Sequence, residues 1–172
     1  AGVDGHAAAA GRLAHHALLH VGRQVNVERR CEAVRCLVVL GEGTLAHAVK
    51  MDAAAAGVPL VLRGWAERED VLRILARAKA LVFPSLWPEP LSRVLLEALA
   101  LGVPIAAMET GGTAEILSSG GGLLVRDAES LADALARIVG DAALREDLRA
   151  AARARAAAYA PEALVPRYEA VY

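Results

Sequence analysis

"ALVFPSLWPEPLSRVLLEALALGVPIAAM", residues 80–108, is an apolar run, a proline-flanked glutamate, a greasy helical stretch and a second apolar run after Gly102-Val103-Pro104. The runs at 80–85 and 103–108 read as strands, and 90–101 reads as a helix. Neither strand alternates apolar with polar residues. Continuous apolar strands belong to parallel sheets that are covered on both faces. Pro90 suits the first turn of the helix, where its missing N–H leaves nothing unsatisfied.

The same rhythm extends in both directions. Further strands are predicted at 17–22, 36–41, 59–64 and 121–125, with helices at roughly 44–56, 67–78, 112–119 and 128–139. Gly or Pro punctuates the junctions, as at Gly57-Val58-Pro59. Alternation of this kind predicts an α/β fold, a doubly wound, Rossmann-like parallel sheet of about six strands with helices on both faces. Extra C-terminal helices follow at about 142–158 and 162–172, separated by Pro161. The region 161–172 is expected to form the terminal helix. Residues 1–16, rich in Gly, Ala and His, read as a poorly ordered lead-in. The crossover at 23–35 is short for the unit it must close.

A chain of 172 residues suits one domain, 1–172, with a core large enough to need no staples. Its 19 basic and 20 acidic residues nearly cancel, so no global field recruits nucleic acid or an anionic membrane. There is no apolar run of membrane-spanning length and no leader pattern, and the expected location is cytoplasmic, with peripheral attachment at the inner membrane face as the variant. Cys31 and Cys36 match no zinc or disulfide framework and are expected to be reduced thiols. His15, His16 and His20 lack acidic co-ligands, so no metal site and no bound cofactor are expected.

Doubly wound sheets bind ligands outside the carboxyl ends of their strands. Candidates on that rim are Gly22-Arg23, Gly41-Glu42-Gly43, Gly64-Trp65, Ser85 to Pro90, and Glu109 to Thr113. Gly111 and Gly112 precede a helix whose amides offer a phosphate seat. Within the 90–101 helix only Ser92, Arg93 and Glu97 are polar. Glu97 lies roughly 10 Å along from the first turn, given about 1.5 Å of rise per residue. A nucleoside diphosphate matches that spacing, with phosphates at the helix N-terminus and ribose hydroxyls on the carboxylate. An Arg93–Glu97 surface pair matches it equally well, and spacing alone does not choose. Glu89 is either a charge placed favourably ahead of a helix or a side chain aimed by its flanking prolines into a site. "GEGTLA", 41–46, fits a dinucleotide fingerprint, and Arg63 would then receive a 2′-phosphate of NADP.

From Gly64 to Val125 the chain resembles the donor-binding, C-terminal domain of the glycosyltransferase group 1 family, retaining enzymes of the GT-B fold. The resemblance rests on the Gly-aromatic step at 64–65, the strand ending in Pro84-Ser85, and Glu89 with Glu97 as a Glu-x7-Glu pair. An Ala-x-Gly-Val-Pro turn and the Gly-Gly-x-x-Glu loop at 111–115 complete it. Weaker matches at 2–4, 21–23, 41–43 and 165–172 extend it over nearly the whole chain. It implies metal-independent sugar transfer from a nucleoside-diphosphate sugar, with an N-terminal acceptor-binding domain of the same enzyme as partner. This part alone would then be inactive. Glu97 would bind the donor ribose and Glu89 would lie against the donor sugar. Arg23 would neutralise the departing diphosphate, while Leu91, Ser92, Gly64, Trp65, Gly111 and Gly112 would border the nucleotide sugar. The family's Gly-Arg-x4-Lys-Gly has Glu28 at the lysine position here: either the backbone shifts so that Arg29 replaces the lysine, or one phosphate-binding cation is missing. Its Glu-Pro-Phe-Gly reads Glu89-Pro90-Leu91-Ser92. Those departures motivate the alternative of a degenerate domain kept for folding or partner contact.

Overall fold

The computed structural model describes residues 18–19 and 36–172. The lead-in, the crossover, Arg23, Arg29, Cys31 and His15, His16 and His20 lie outside the described residues. The strands are β1 (Leu18–Leu19), β2 (Leu37–Val39), β3 (Leu60–Leu62), β4 (Leu81–Phe83), β5 (Ile105–Met108) and β6 (Gly122–Val125). The helices are α1 (Ala46–Ala55), α2 (Arg68–Ala76), α3 (Arg93–Leu101), α4 (Thr113–Leu117), α5 (Ala128–Gly140), α6 (Ala142–Ala156) and α7 (Pro161–Glu169), with a 3₁₀ turn at Ala157–Tyr159.

One six-stranded sheet runs β3-β2-β1-β4-β5-β6. β2 and β3 pair in parallel, as do β4, β5 and β6. This is the α/β sheet that the apolar runs predict. β1 departs from it, running antiparallel to both β2 and β4. A Leu-Leu pair reads the same in either direction, so the hydrophobic pattern of two residues carries no preference for a parallel course.

Successive strand residues point to opposite faces, and the core divides accordingly. Leu81, Phe83, Ile105 and Ala107 join Leu75, Leu95, Leu99 and Ile116 from α2, α3 and α4. Ala80, Val82, Ala106 and Met108 join Val49 of α1 and Leu131 and Ile138 of α5 on the other face. Helix α6 closes an edge, giving Ala152 to the first cluster and Leu148 to the second. Burial on both faces is why these strands are apolar at every position. Cys36 is buried in the first cluster and is disulfide-bonded, which corrects the expectation of a reduced thiol.

Two helix boundaries differ from the expected ones. Helix α3 begins at Arg93, not Pro90, with Ser92 extended at its N-cap (φ −85°, ψ 118°). Residues 88–90 instead run as a loop against the backbone at 111–112. Helix α7 takes Pro161 as its first residue and ends at Glu169. At the other end of α3, Gly102 adopts the left-handed conformation (φ 67°), and its N–H reaches the carbonyls of Ala98 and Leu99. Only Gly adopts that cap without strain, so the chain turns there directly into Val103-Pro104 and β5. No helix among the described residues is long and apolar enough to cross a membrane.

Candidate functional site

The carboxyl ends of the five mutually parallel strands, all but β1, face one rim. There Gly41 N–H donates to Gly64 O at 2.7 Å, joining the loops after β2 and β3. Trp65 N–H reaches Glu42 Oε1 at 3.4 Å. Thr110 Oγ1 donates to Ser85 O at 2.9 Å, joining the loops after β4 and β5. A cleft of about 540 Å³ opens beside the first junction, lined by Gly41 to Ala46 together with Val39, Val49, Leu62 and Gly64.

The loop after β4 carries Glu89, Leu91 and Ser92. Gly112 N–H donates to Glu89 O at 2.8 Å. A β-carbon on Gly112 would stand 2.0 Å from Pro90 O, and one on Gly111 2.4 Å from Glu89 O. These glycines therefore let two backbones touch and so fix where Glu89 stands. Gly112 borders the rim, but its amide is already bonded, so it is not the open phosphate donor that the sequence suggests. Glu89 is half-buried, and its carboxylate has no hydrogen bond or ion pair among the described residues.

No side chain caps the N-terminus of α3. Its first amides are thus left to other acceptors, including any anion brought to the rim. Ser92 is only 5% exposed there. Its hydroxyl finds no partner among the described residues, an unusual state for a buried polar group. Both tryptophans of the chain stand on this rim in the open, Trp65 at 70% and Trp87 at 73% exposure. Leu91, four residues beyond Trp87, is exposed as well. Large aromatic side chains left in water are uncommon, and both of these follow the carboxyl end of a strand.

Glu97 lies five residues beyond Ser92, roughly 7 Å along the axis at 1.5 Å per residue. Its side chain is 19% exposed and pairs with Arg68, whose Nε stands 3.1 Å from Oε1. The Arg93–Glu97 pair that the spacing allows does not form: Arg93 has no salt bridge among the described residues. Arg68 is the rim residue that the sequence reading missed. Its signal is faint, a cation in the first turn of a helix whose other early charges, Glu69 and Asp70, are acidic. Farther along the rim, Arg126 Nε bonds Glu109 Oε2 at 2.6 Å, and that hydrogen bond raises the arginine's pKa.

The structure thus brings Gly64, Trp65, Glu89, Leu91, Ser92, Gly111 and Gly112 to one edge, with Glu97 just behind it. Arg23 and Arg29 lie outside the described residues. A doubly wound sheet with helices on both faces is the fold of GT-B glycosyltransferase domains. The chain belongs to the glycosyl transferases group 1 family, whose profile matches residues 16–155. That family does not call for the dinucleotide reading of 41–46, which follow the sheet's second strand in chain order and not its first.

Among individual relatives, the chain is 40% identical over 101 residues to exopolysaccharide phosphotransferase SCO2592 of Streptomyces coelicolor, covering 56% of this chain and 11% of that protein. It matches the solved sucrose-phosphate synthase of Thermosynechococcus elongatus at a TM-score of 0.64 and 26% identity, over 78% of this chain and 36% of that one. Anabaena HepE, solved in complex with UDP-glucose, superposes at a TM-score of 0.63 and 19% identity, over 90% of this chain and 40% of its own. The chain therefore spans about a tenth of the Streptomyces relative and under half of each solved enzyme.

Proposed function

We propose that this chain is the donor-binding half of a retaining glycosyltransferase that moves a sugar from a nucleoside-diphosphate sugar to an acceptor. One observation carries the reading. A mostly buried carboxylate, Glu97, stands about 7 Å from an uncapped helix N-terminus, which is roughly the reach from a ribose to its diphosphate. The α3 amides meet the phosphates, and Glu97 accepts from the ribose hydroxyls. Trp65, beyond Gly64, offers a face to the base. The UDP-glucose bound by the Anabaena neighbour supports a ligand of this class.

Catalysis in this reading is leaving-group stabilisation. Negative charge grows on the diphosphate as the glycosidic bond breaks. Helix amides offset it without a metal ion, and Arg23 and Arg29 add positive charge in the roles that the family resemblance gives them. Glu89, held by the Gly112 contact and with no side-chain partner among the described residues, positions the donor sugar and stabilises its developing positive charge. An N-terminal domain of the same enzyme supplies the acceptor site. The isolated chain therefore binds donor but transfers no sugar. Its setting is the cytoplasm, where nucleotide sugars are held.

Calorimetric titration with UDP, GDP and ADP tests the reading. At least one should bind, and Glu97→Ala should weaken it about tenfold or more, the scale of one lost charged hydrogen bond. Binding indifferent to that substitution removes the ribose role. Failure of all three to bind favours the degenerate domain kept for folding or partner contact.

A further inference from the structure

Arg68 is in the wrong place for its own helix. It occupies the first residue of α2, after the extended N-cap Glu67. The helix dipole favours anions at that end and disfavours cations. Glu69 and Asp70 obey the rule and Arg68 breaks it. What it gains there is Glu97, 29 positions away, on a different helix. The guanidinium remains 72% exposed, while the carboxylate it holds is 19% exposed. An ion pair so open contributes little to stability. Its geometric effect on Glu97 is larger, because a single side chain engages an otherwise free carboxylate through one oxygen.

We propose that Arg68 is a positioning residue for nucleotide recognition, orienting Glu97 toward the ribose. The proposal rests on the ribose role of Glu97 argued above. Nε of Arg68 engages Oε1 and restrains the rotation of the carboxylate. No other described residue bonds to Oε2, and Oε1 keeps a second lone pair. Both acceptors needed by a cis-diol are thus available on a carboxylate that no longer rotates freely. Arg68 follows the Gly64-Trp65 loop by three residues. A single loop and helix start therefore carry the aromatic face proposed for the base and the group that aligns the ribose acceptor.

Selectivity for ribose distinguishes this role from mere bracing of α2 against α3. The purified protein is titrated with UDP, GDP and ADP and with their 2′,3′-dideoxy counterparts, and folding of each variant is checked by thermal unfolding. Wild type should prefer the ribose form about tenfold or more, and Arg68→Ala should cut that preference to about threefold while changing dideoxy binding less than about twofold. Arg68→Lys keeps the charge without the fixed fork and should restore part of the preference. Equal losses for both sugars in Arg68→Ala, or an unchanged preference, overturn the positioning role and leave the ribose reading standing. If wild type shows no preference, or Glu97→Ala keeps it, the ribose reading fails and this proposal fails with it.

Discussion

The stretch from β4 through α4 and the stretch from β2 through β3 are built from similar sequence, yet they are packed in opposite ways. In the first, β4 and β5 are buried at every residue, α3 seals Leu95, Ala98 and Leu99 beneath them, and the two loops above touch backbone to backbone. In the second, α1 buries only Val49 and Ala53, Leu62 and Met51 stay in water, and a cleft opens beside the Gly41–Gly43 loop. Under the proposed function the contrast corresponds to separate tasks. Recognition of a charged ligand needs carboxylates and amides held in place, and the Glu89, α3 and Glu97 group sits on the closely packed half. The other half has room, and room suits groups that must shift or accept a second surface.

Glycine separates the halves most sharply. Gly112→Val should destabilise the chain by about 4 kcal/mol or more, because the clash is with fixed backbone on both sides. Gly43 has nothing within 4 Å of a built β-carbon, and Gly43→Ala should stay within about 0.5 kcal/mol of wild type. Urea midpoints at constant slope read both. A tolerated Gly112→Val would show that the two loops separate readily, and the rigid half would lose its defining contact.

How far was this legible in the sequence alone? The strands were, since burial on both faces writes an uninterrupted apolar run, and β3 was visible through the turns at Gly57-Val58-Pro59 and Gly64 although its own packing is loose. The start of α3 was not. Pro90 satisfies a local rule for the first helical turn, but a contact with Gly112, more than twenty positions away, holds it in a loop. The glycines at 111–112 were visible as special without their use being visible, because close approach and free amides leave the same residues in the sequence. Glu97 stood out as a carboxylate in a greasy helix. Its partner did not, since local spacing offers Arg93 and only the packing of α2 on α3 brings Arg68.

Helix α4 tests whether the rigid half is held from one end or from two. Its N-terminus is pinned by Gly112, and its C-terminus by Arg155 of α6. Arg155 Nε donates to Ile116 O at 2.9 Å and Nη2 to Glu115 O at 2.6 Å. Tyr159 completes the clamp, with its hydroxyl 3.0 Å from Nη2 and its ring 5.0 Å from the guanidinium carbon. Arg155→Met keeps the apolar stem and removes the donors. The expected loss is about 2 kcal/mol, the scale of charged hydrogen bonds to carbonyls at a helix C-terminus. An unchanged urea midpoint would mean that the sheet alone holds α4, and that only the Gly112 contact sets the rim.

The smallest effect belongs to an exposed contact at the margin of the same half. Asp127 caps α5, the helix that covers β5 and β6, accepting from Ser130 N–H at 2.8 Å and from its hydroxyl at 2.9 Å. The backbone N–H, and after it the hydroxyl, lower the carboxyl's pKa. A folded value below the unfolded one of about 3.9 makes the contribution complete above that pH, and it disappears as pH falls through the folded value. Asp127→Asn keeps a good cap at neutral pH and cannot titrate. Its melting temperature should match wild type near pH 7 and fall less steeply below about pH 4, the unfolded carboxyl's range. Equal slopes in acid would show that this cap contributes nothing through its charge. Proximity to the rigid half would then confer no strength on contacts left in water, and burial alone would account for the difference between the two regions.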